Sequence, residues 1–144
     1  MPKRSRTLDR GRVVDAALAL ADREGLDSLT MRAVGRELGV EAMSLYNHIA
    51  DKDDLLDALI ERVLAEIHLP VPGEPWKEQV RERARSARGA FGRHPWAMRV
   101  IDSRSQNSGP ERLAYFDAML GTLREAGFSN ELAVRAFSTL DPYI

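Results

Sequence analysis

Apolar residues recur three and four positions apart along most of the chain, and no stretch alternates at the period of two expected of a half-buried strand. The pattern predicts a first helix capped by Asp9 and running to Glu24, with Val14, Ala17, Leu18 and Ala21 as its apolar stripe and Asp15, Asp22 and Arg23 in water. Gly25 ends it, and Leu26 and Leu29 tuck the connection onto the core. The stretch Leu29–Lys52 then reads as two short helices joined by a tight turn at Gly39. Thr30 can cap the first, and Met31, Val34 and Leu38 share one face. Gly35 lets the second helix cross closely, and Gly39 permits a positive φ. In the second helix Leu45 and Ile49 point to the core, leaving Ala42, Met43, Ser44, Tyr46 and Asn47 largely outside.

From Asp51 a new helix is expected as far as Leu69, capped by Asp51 and with Asp53 and Asp54 at the positive end of its dipole. Leu55, Leu56, Leu59, Ile60, Val63, Leu64 and Ile67 give it an apolar face wider than a three-helix domain needs, which implies a second bundle. Pro70, Pro72, Gly73 and Pro75 break regular structure and mark the expected boundary. Beyond them a helix over 76–92 places Val80, Ala84, Ala87 and Phe91 at core spacing. Its arginines at 81, 83, 85 and 88 read as a solvated face, with Arg93 in the loop that follows. His94-Pro95 starts a short apolar segment, Trp96 to Ile101, and a polar loop spans 103–110. A helix over 111–126 turns Leu113, Phe116, Leu120 and Leu123 inward and closes at Gly127. Asn130 caps a last helix with Leu132, Ala133, Ala136, Phe137 and Leu140 on its apolar face, which Pro142 kinks or ends.

Composition changes this picture little. The 144 residues are 44% hydrophobic and 30% charged, an ordinary globular balance with length for one or two small domains. A formal net charge of -1 announces no nucleic acid by itself, since a local patch is what matters. The absence of cysteine excludes disulfides, thiolate metal sites and cysteine nucleophiles. No apolar run reaches membrane-spanning length and no secretory h-region opens the chain, so a cytoplasmic protein without membrane partners is expected. The three histidines, at 48, 68 and 94, sit in different helices with no carboxylate at metal-ligand spacing. Neither a phosphate loop nor a nucleophile elbow occurs, so no enzyme, no metal and no cofactor is expected.

DNA recognition fits the two short helices. If the second lies in a major groove, Glu41, Ala42, Met43 and Ser44 approach base edges. Ala42 and Met43 can touch a thymine methyl, and Ser44 can bond base or phosphate. Tyr46, His48 and Lys52 are placed to reach flanking phosphates, and Arg32 suits a phosphate or a guanine. Each is equally an ordinary surface or amphipathic residue when taken alone; the argument rests on the pattern. Lys3, Arg4 and Arg6, with no acid among them, read as a solvated terminus or as a basic arm against the duplex, and the two readings are compatible.

The segment LDSLTMRAVGRELGVEAMSLYNHIADKDDLLDAL closely resembles the DNA-binding domain of the TetR family of bacterial transcriptional repressors. The resemblance is carried by Leu29-Thr30-x-Arg32, Leu38-Gly39-Val40, Leu45-Tyr46-x-His48, and Lys52 before Leu55-Leu56. Weaker similarity through His94-Pro95-Trp96 and residues 113–128 suggests a tetracycline-repressor-type C-terminal domain. It implies an all-α protein in which an N-terminal arm and three-helix helix-turn-helix domain (1–51) joins, through a connecting helix (52–69), a C-terminal helical ligand-binding and dimerisation bundle (70–144). It further implies a homodimer on double-stranded, palindromic operator DNA, contacting it through Thr30, Arg32, Ala42, Met43, Ser44, Tyr46, His48 and Lys52. A small-molecule effector would release it. The tetracycline repressor's pocket histidine matches His68, but its amide and phenylalanine fall at Arg83 and Ala87 and its magnesium-holding histidine near Ile101. Tetracycline with magnesium is therefore not the expected effector. An apolar pocket is expected from Leu64, His68, Trp96, Met98, Ile101, Phe116, Met119 and Leu120, residues that core packing explains as well. The family's bundle continues past the position of Ile144, so an incomplete C-terminal domain is expected. The alternative is a helical protein-interaction module with a vestigial or non-switching DNA-binding head.

Overall fold

The computed structural model describes residues 7–104 and 109–140, with residues 111, 112 and 140 as backbone alone. These form helices α1 (Arg10–Glu24), α2 (Met31–Leu38), α3 (Ala42–Leu45), α4 (Lys52–Leu64), α5 (Trp76–Arg93), α6 (Ala97–Ser103), α7 (Pro110–Glu125) and α8 (Asn130–Leu140), with a 3-10 turn at Leu26–Ser28. The protein is all-α, as expected, with no strand among the described residues. Two compact units divide between Ile60 and Glu61, inside α4.

In the first unit, the sequence's stop and start signals act where they stand. The Asp9 carboxylate accepts the Arg12 N–H at 2.8 Å and opens α1. Gly25, at φ 84°, closes it by donating to the Ala21 carbonyl. The core is Val13, Val14, Ala17, Leu20 and Ala21 of α1 with Leu29, Val34, Leu45, Ile49, Leu55, Leu59 and Ile60. Val13 and Leu20 thus join the expected stripe, whereas Leu18 is half-buried. Each large side chain withdrawn from water contributes roughly 1.5–3 kcal/mol, so this set is what holds the short helices α2 and α3 in place.

The connecting helix ends at Leu64, five residues before the expected Leu69. Its last turns tighten to Glu66 N–H on Val63 O and Ile67 N–H on Leu64 O, and the His68 N–H is taken by the Ser86 hydroxyl at 2.8 Å. With that donor diverted and Pro70 next but one, the ladder cannot continue. Nor is the proline-rich stretch a division between units. The Val71 and Gly73 N–H groups donate to the carboxamide of Gln79 and the carboxylate of Glu125, which ties the stretch into the second unit.

Three further expectations change in the second unit. His94, expected only to start the segment after it, also caps the C-terminus of α5: its N–H is on Ala90 O while its carbonyl accepts the Ala97 N–H, and it is buried. Ser129, not Asn130, caps α8, its hydroxyl accepting the Leu132 N–H at 3.2 Å. Leu113 and Leu132, expected inward, are exposed at 54% and 51%; the buried positions are Met119, Thr122 and Leu123 of α7 and Ala133 of α8. Helices α7 and α8 are joined through Gly127, at φ 93°, and cluster Tyr115, Phe116 and Phe137 with ring centroids 5.2–5.6 Å apart. Loop residues 105–108 and the expected end at Pro142, Tyr143 and Ile144 lie outside the described residues.

Candidate functional site

The first unit presents α3 by bracing it from behind. The Thr30 hydroxyl accepts the Ala33 N–H at 3.1 Å and starts α2. Gly39 ends it in the left-handed region, φ 69° and ψ 32°, where its own N–H returns to Arg36 O and the Val40 N–H to Gly35 O. At Gly35 a Cβ would lie 2.8 Å from the Val40 carbonyl oxygen and 3.3 Å from the Ala42 nitrogen. The backbone entering α3 therefore rests on a position that only glycine leaves open. Regular α-helix in α3 covers just Ala42–Leu45, shorter than expected, and turns continue it to Ile49, whose N–H bonds to Leu45 O. Leu45 and Ile49 are fully buried, which fixes the rotation of α3 and turns its other side outward.

A bracket that the sequence did not disclose holds the far end. The Arg10 guanidinium donates to both carboxylate oxygens of Asp54 at 2.7 and 2.9 Å and to the His48 carbonyl at 3.1 Å. Asp54 also accepts the Ala50 N–H at 2.8 Å. The Arg10 hydrogen bonds, helped by that N–H, hold the Asp54 carboxyl down at about 2. Asp54 is thus a clasp between α1 and the loop before α4, while Asp51 caps α4 through the Asp54 N–H. No local spacing signals a pair 44 residues apart.

What this frame displays is polar, basic and apolar in one stretch. Thr30, Arg32, Tyr46 and Lys52 are exposed, and Ala42, Ser44 and His48 are half-buried. Met43 is 75% exposed and Tyr46 45%, and these two are the exposed large hydrophobics among the described residues of the first unit. Arg32 and Lys52 engage no acid among the described residues, whereas Arg23 is paired with Glu24 and Glu37. Arg36, which sequence reasoning passed over, is a third exposed cation, in the last turn of α2. Lys3, Arg4 and Arg6 lie outside the described residues.

The second unit contains a cavity of about 230 Å3 lined by Leu64, Ala65, Ile67, His68, Leu69, Arg83 and Tyr115. Of the eight residues expected there, Leu64 and His68 line it. Trp96 and Met119 are buried elsewhere in the unit, Met98 is 45% exposed, and Ile101, Phe116 and Leu120 are half-buried outside the lining. His68 is fixed by its neighbours: Gln79 Oε1 accepts the Val71 N–H at 2.8 Å and faces His68 Nε2 at 2.9 Å. Since Val71 N–H can only donate, the atom it meets is the Gln79 oxygen, and Nε2 carries the proton toward it. Arg83 overturns the reading of the α5 arginines as one solvated face. It is 5% exposed, and its guanidinium carbon sits 3.6 Å from the centre of the Tyr115 ring.

A helix-turn-helix profile described as bacterial regulatory proteins of the tetR family matches residues 13–59, and one described as the tetracyclin repressor-like C-terminal domain matches residues 69–144. The chain belongs to the TetR family. Among TetR-family relatives, it is 37% identical over 145 residues to the HTH-type transcriptional repressor DrrR1 of Streptomyces coeruleorubidus, covering 99% of this chain and 53% of that protein. It is similar to the TetR family protein ActR of Streptomyces coelicolor, solved in complex with actinorhodin, with a TM-score of 0.83 at 36% identity over 96% of this chain and 65% of that one. It is similar also to BioQ, solved with its double-stranded DNA operator, with a TM-score of 0.78 at 29% identity over 95% of this chain and 82% of that one. The chain thus spans little more than half the length of DrrR1.

Proposed function

We propose that this TetR-family chain is a ligand-responsive transcriptional repressor. It binds a palindromic operator as a homodimer and is released by a small molecule held in the second unit. The observation that carries the reading is α3: Met43, three-quarters exposed, stands on a helix locked at both ends, with the uncommitted cations Arg32 and Lys52 in the same unit. An apolar side chain kept in water on a rigid mount is what direct contact with a thymine methyl requires. Arg32, Tyr46, His48 and Lys52 serve the phosphates, and Thr30, Ala42 and Ser44 fit the same surface. BioQ, a relative solved on operator DNA, and ActR, solved with a small molecule, support the two halves of the reading.

The cavity supports an effector of limited size, since drug-sized ligands occupy roughly 300–1,000 Å3. Its lining does not suit a magnesium-bound ligand. Among the described residues it supplies no carboxylate, the donor such a hard ion favours, and it includes the cationic Arg83. Two half-sites about 34 Å apart tolerate little change in the spacing of two reading heads, which is how an effector in the second unit would act on DNA.

Selection of bound sequences from random duplex DNA tests the proposal, followed by gel-shift titration at fixed salt. A palindrome should emerge, with affinity falling steeply as salt rises. Lys52→Ala should weaken all sequences alike, and Met43→Arg should change the sequence preferred. Selection of no consensus, or variants that behave as wild type, would sink the assignment.

A further inference from the structure

The arginines of the first unit divide by what they touch. Arg10 is bound to both carboxylate oxygens of Asp54, Arg12 reaches the Thr7 carbonyl, and Arg23 meets Glu24 and Glu37. Arg32 and Arg36 are exposed and meet no acid among the described residues. Residues 1–6, which lie outside the described ones, contain no Asp or Glu, so no carboxylate of this unit is left out. The two acids nearest Arg36 along the chain do not neutralise it. Glu37 is turned to Arg23, at 2.9 Å, and Glu41, before α3, forms no ion pair with it. Both remaining arginines lie on α2, four positions apart, which puts them on one face and about 6 Å apart along the axis. Val34 and Gly35 face the core and turn the arginine face to water. Like charges one turn apart repel, and Arg32, in the first turn, also stands at the end of the dipole that disfavours a cation. Nothing in the unit offsets that repulsion; a polyanion would.

We propose that Arg36 is a further DNA-contact residue, forming with Arg32 a two-cation rail along α2 that neutralises phosphates of the duplex. In a helix-turn-helix the first helix of the pair crosses the backbone while the second enters the groove. Arg36 lies in the last turn of α2, beside the turn that delivers α3, and its carbonyl accepts the Gly39 N–H there. Its contact is with charge and not with base edges, so it strengthens binding to every sequence. The inference rests on the reading of α3 as the helix that meets DNA, and it adds a phosphate contact beyond the residues named for that role.

The test is anisotropy titration of the whole chain, over a series of salt concentrations, on two labelled duplexes: the selected palindrome and one of random sequence. Arg36→Gln should weaken both by a similar factor, about twofold to thirtyfold for a dimer. The slope of log affinity against log salt should shrink by about 0.9 for each protomer bound. Arg36→Lys should keep the wild-type slope. Arg88→Gln, which removes an equally exposed charge from the second unit, should leave it unchanged. Arg36→Ala serves where Arg36→Gln does not fold, since alanine favours the helix. A cation that only complements the α2 dipole would, when removed, lower the urea midpoint and leave the slope alone. That result, a loss confined to the palindrome, or an equal change of slope in Arg88→Gln would each overturn the proposal. Where selection yields no palindrome, the random duplex decides: a slope that depends on Arg36 supports the rail, and one that does not overturns it. A wild type that binds neither duplex at low salt would sink this inference and the repressor reading together. Loss of affinity in Lys52→Ala with Arg36→Gln unchanged would sink this inference alone.

Discussion

The two units bury different things. Every buried polar or charged side chain among the described residues (Arg83, His94 and Thr122) belongs to the second unit, and the interior of the first is apolar. The exposed apolar residues differ as well. Among the described residues the large ones in the first unit are Met43 and Tyr46, three positions apart, whereas in the second they are spread from Leu69 to Val134. An apolar core has one good packing and specifies a fixed surface, which suits a unit that must present α3 the same way each time. Buried polar groups demand partners with defined geometry, so the packing of the second unit depends on those partners being met.

The sharpest way to break the comparison is to open the apolar interior. Leu45→Ala should cost about 2–5 kcal/mol, read by urea unfolding in the far ultraviolet, and abolish operator binding as α3 loses its anchor. Gly35→Ala should cost about 1–3 kcal/mol, because its Cβ meets backbone atoms that cannot move without displacing α3. A stable Gly35→Ala protein with undiminished operator affinity would contradict the bracing argument.

The polar side of the comparison is tested at Glu66, whose carboxylate bonds Arg93 and the buried His94, the latter at 3.1 Å. Burial pushes this carboxyl up, but the two hydrogen bonds outweigh it and leave it below its ordinary value. Glu66→Ala should cost about 1 kcal/mol. Both tryptophans, Trp76 and Trp96, lie in the second unit, so their fluorescence reads the loss there.

The smallest effect belongs to Arg10→Ala, about 0.5–1 kcal/mol, because the pair with Asp54 is partly in water. Asp54 has its carboxyl at about 2 in the folded protein against 3.8 ordinarily, so the clasp stabilises fully above pH 4 and is lost as pH falls toward 2. Acid titration of unfolding should therefore be shallower across that window in Arg10→Ala.

Local signals were legible in the sequence. The caps at Asp9 and Thr30, the left-handed Gly39 and the close approach at Gly35 depend on residues a few positions apart, and each is where the pattern put it. Signals that depend on distant partners were not. Arg83 looks like its neighbours at 81, 85 and 88 until Tyr115 is placed over it, and Arg10 has no local reason to differ from Arg12. Helix α4 stops early because of a serine 18 residues from His68. Leu113 and Leu132 fit an inward pattern equally well on either side of a helix with apolar residues on several faces, and periodicity could not choose.

The contact at Gly35 has a consequence for how such a protein can change. It joins backbone to backbone, so it is indifferent to the side chains that α3 carries. On the proposed reading of α3, the mount and the message are separable: Ala42, Met43 and Ser44 could be rewritten for a new operator while the mount stays as it is. A library randomised at those three positions should yield many folded proteins with altered taste in DNA, and one randomised at Gly35 almost none.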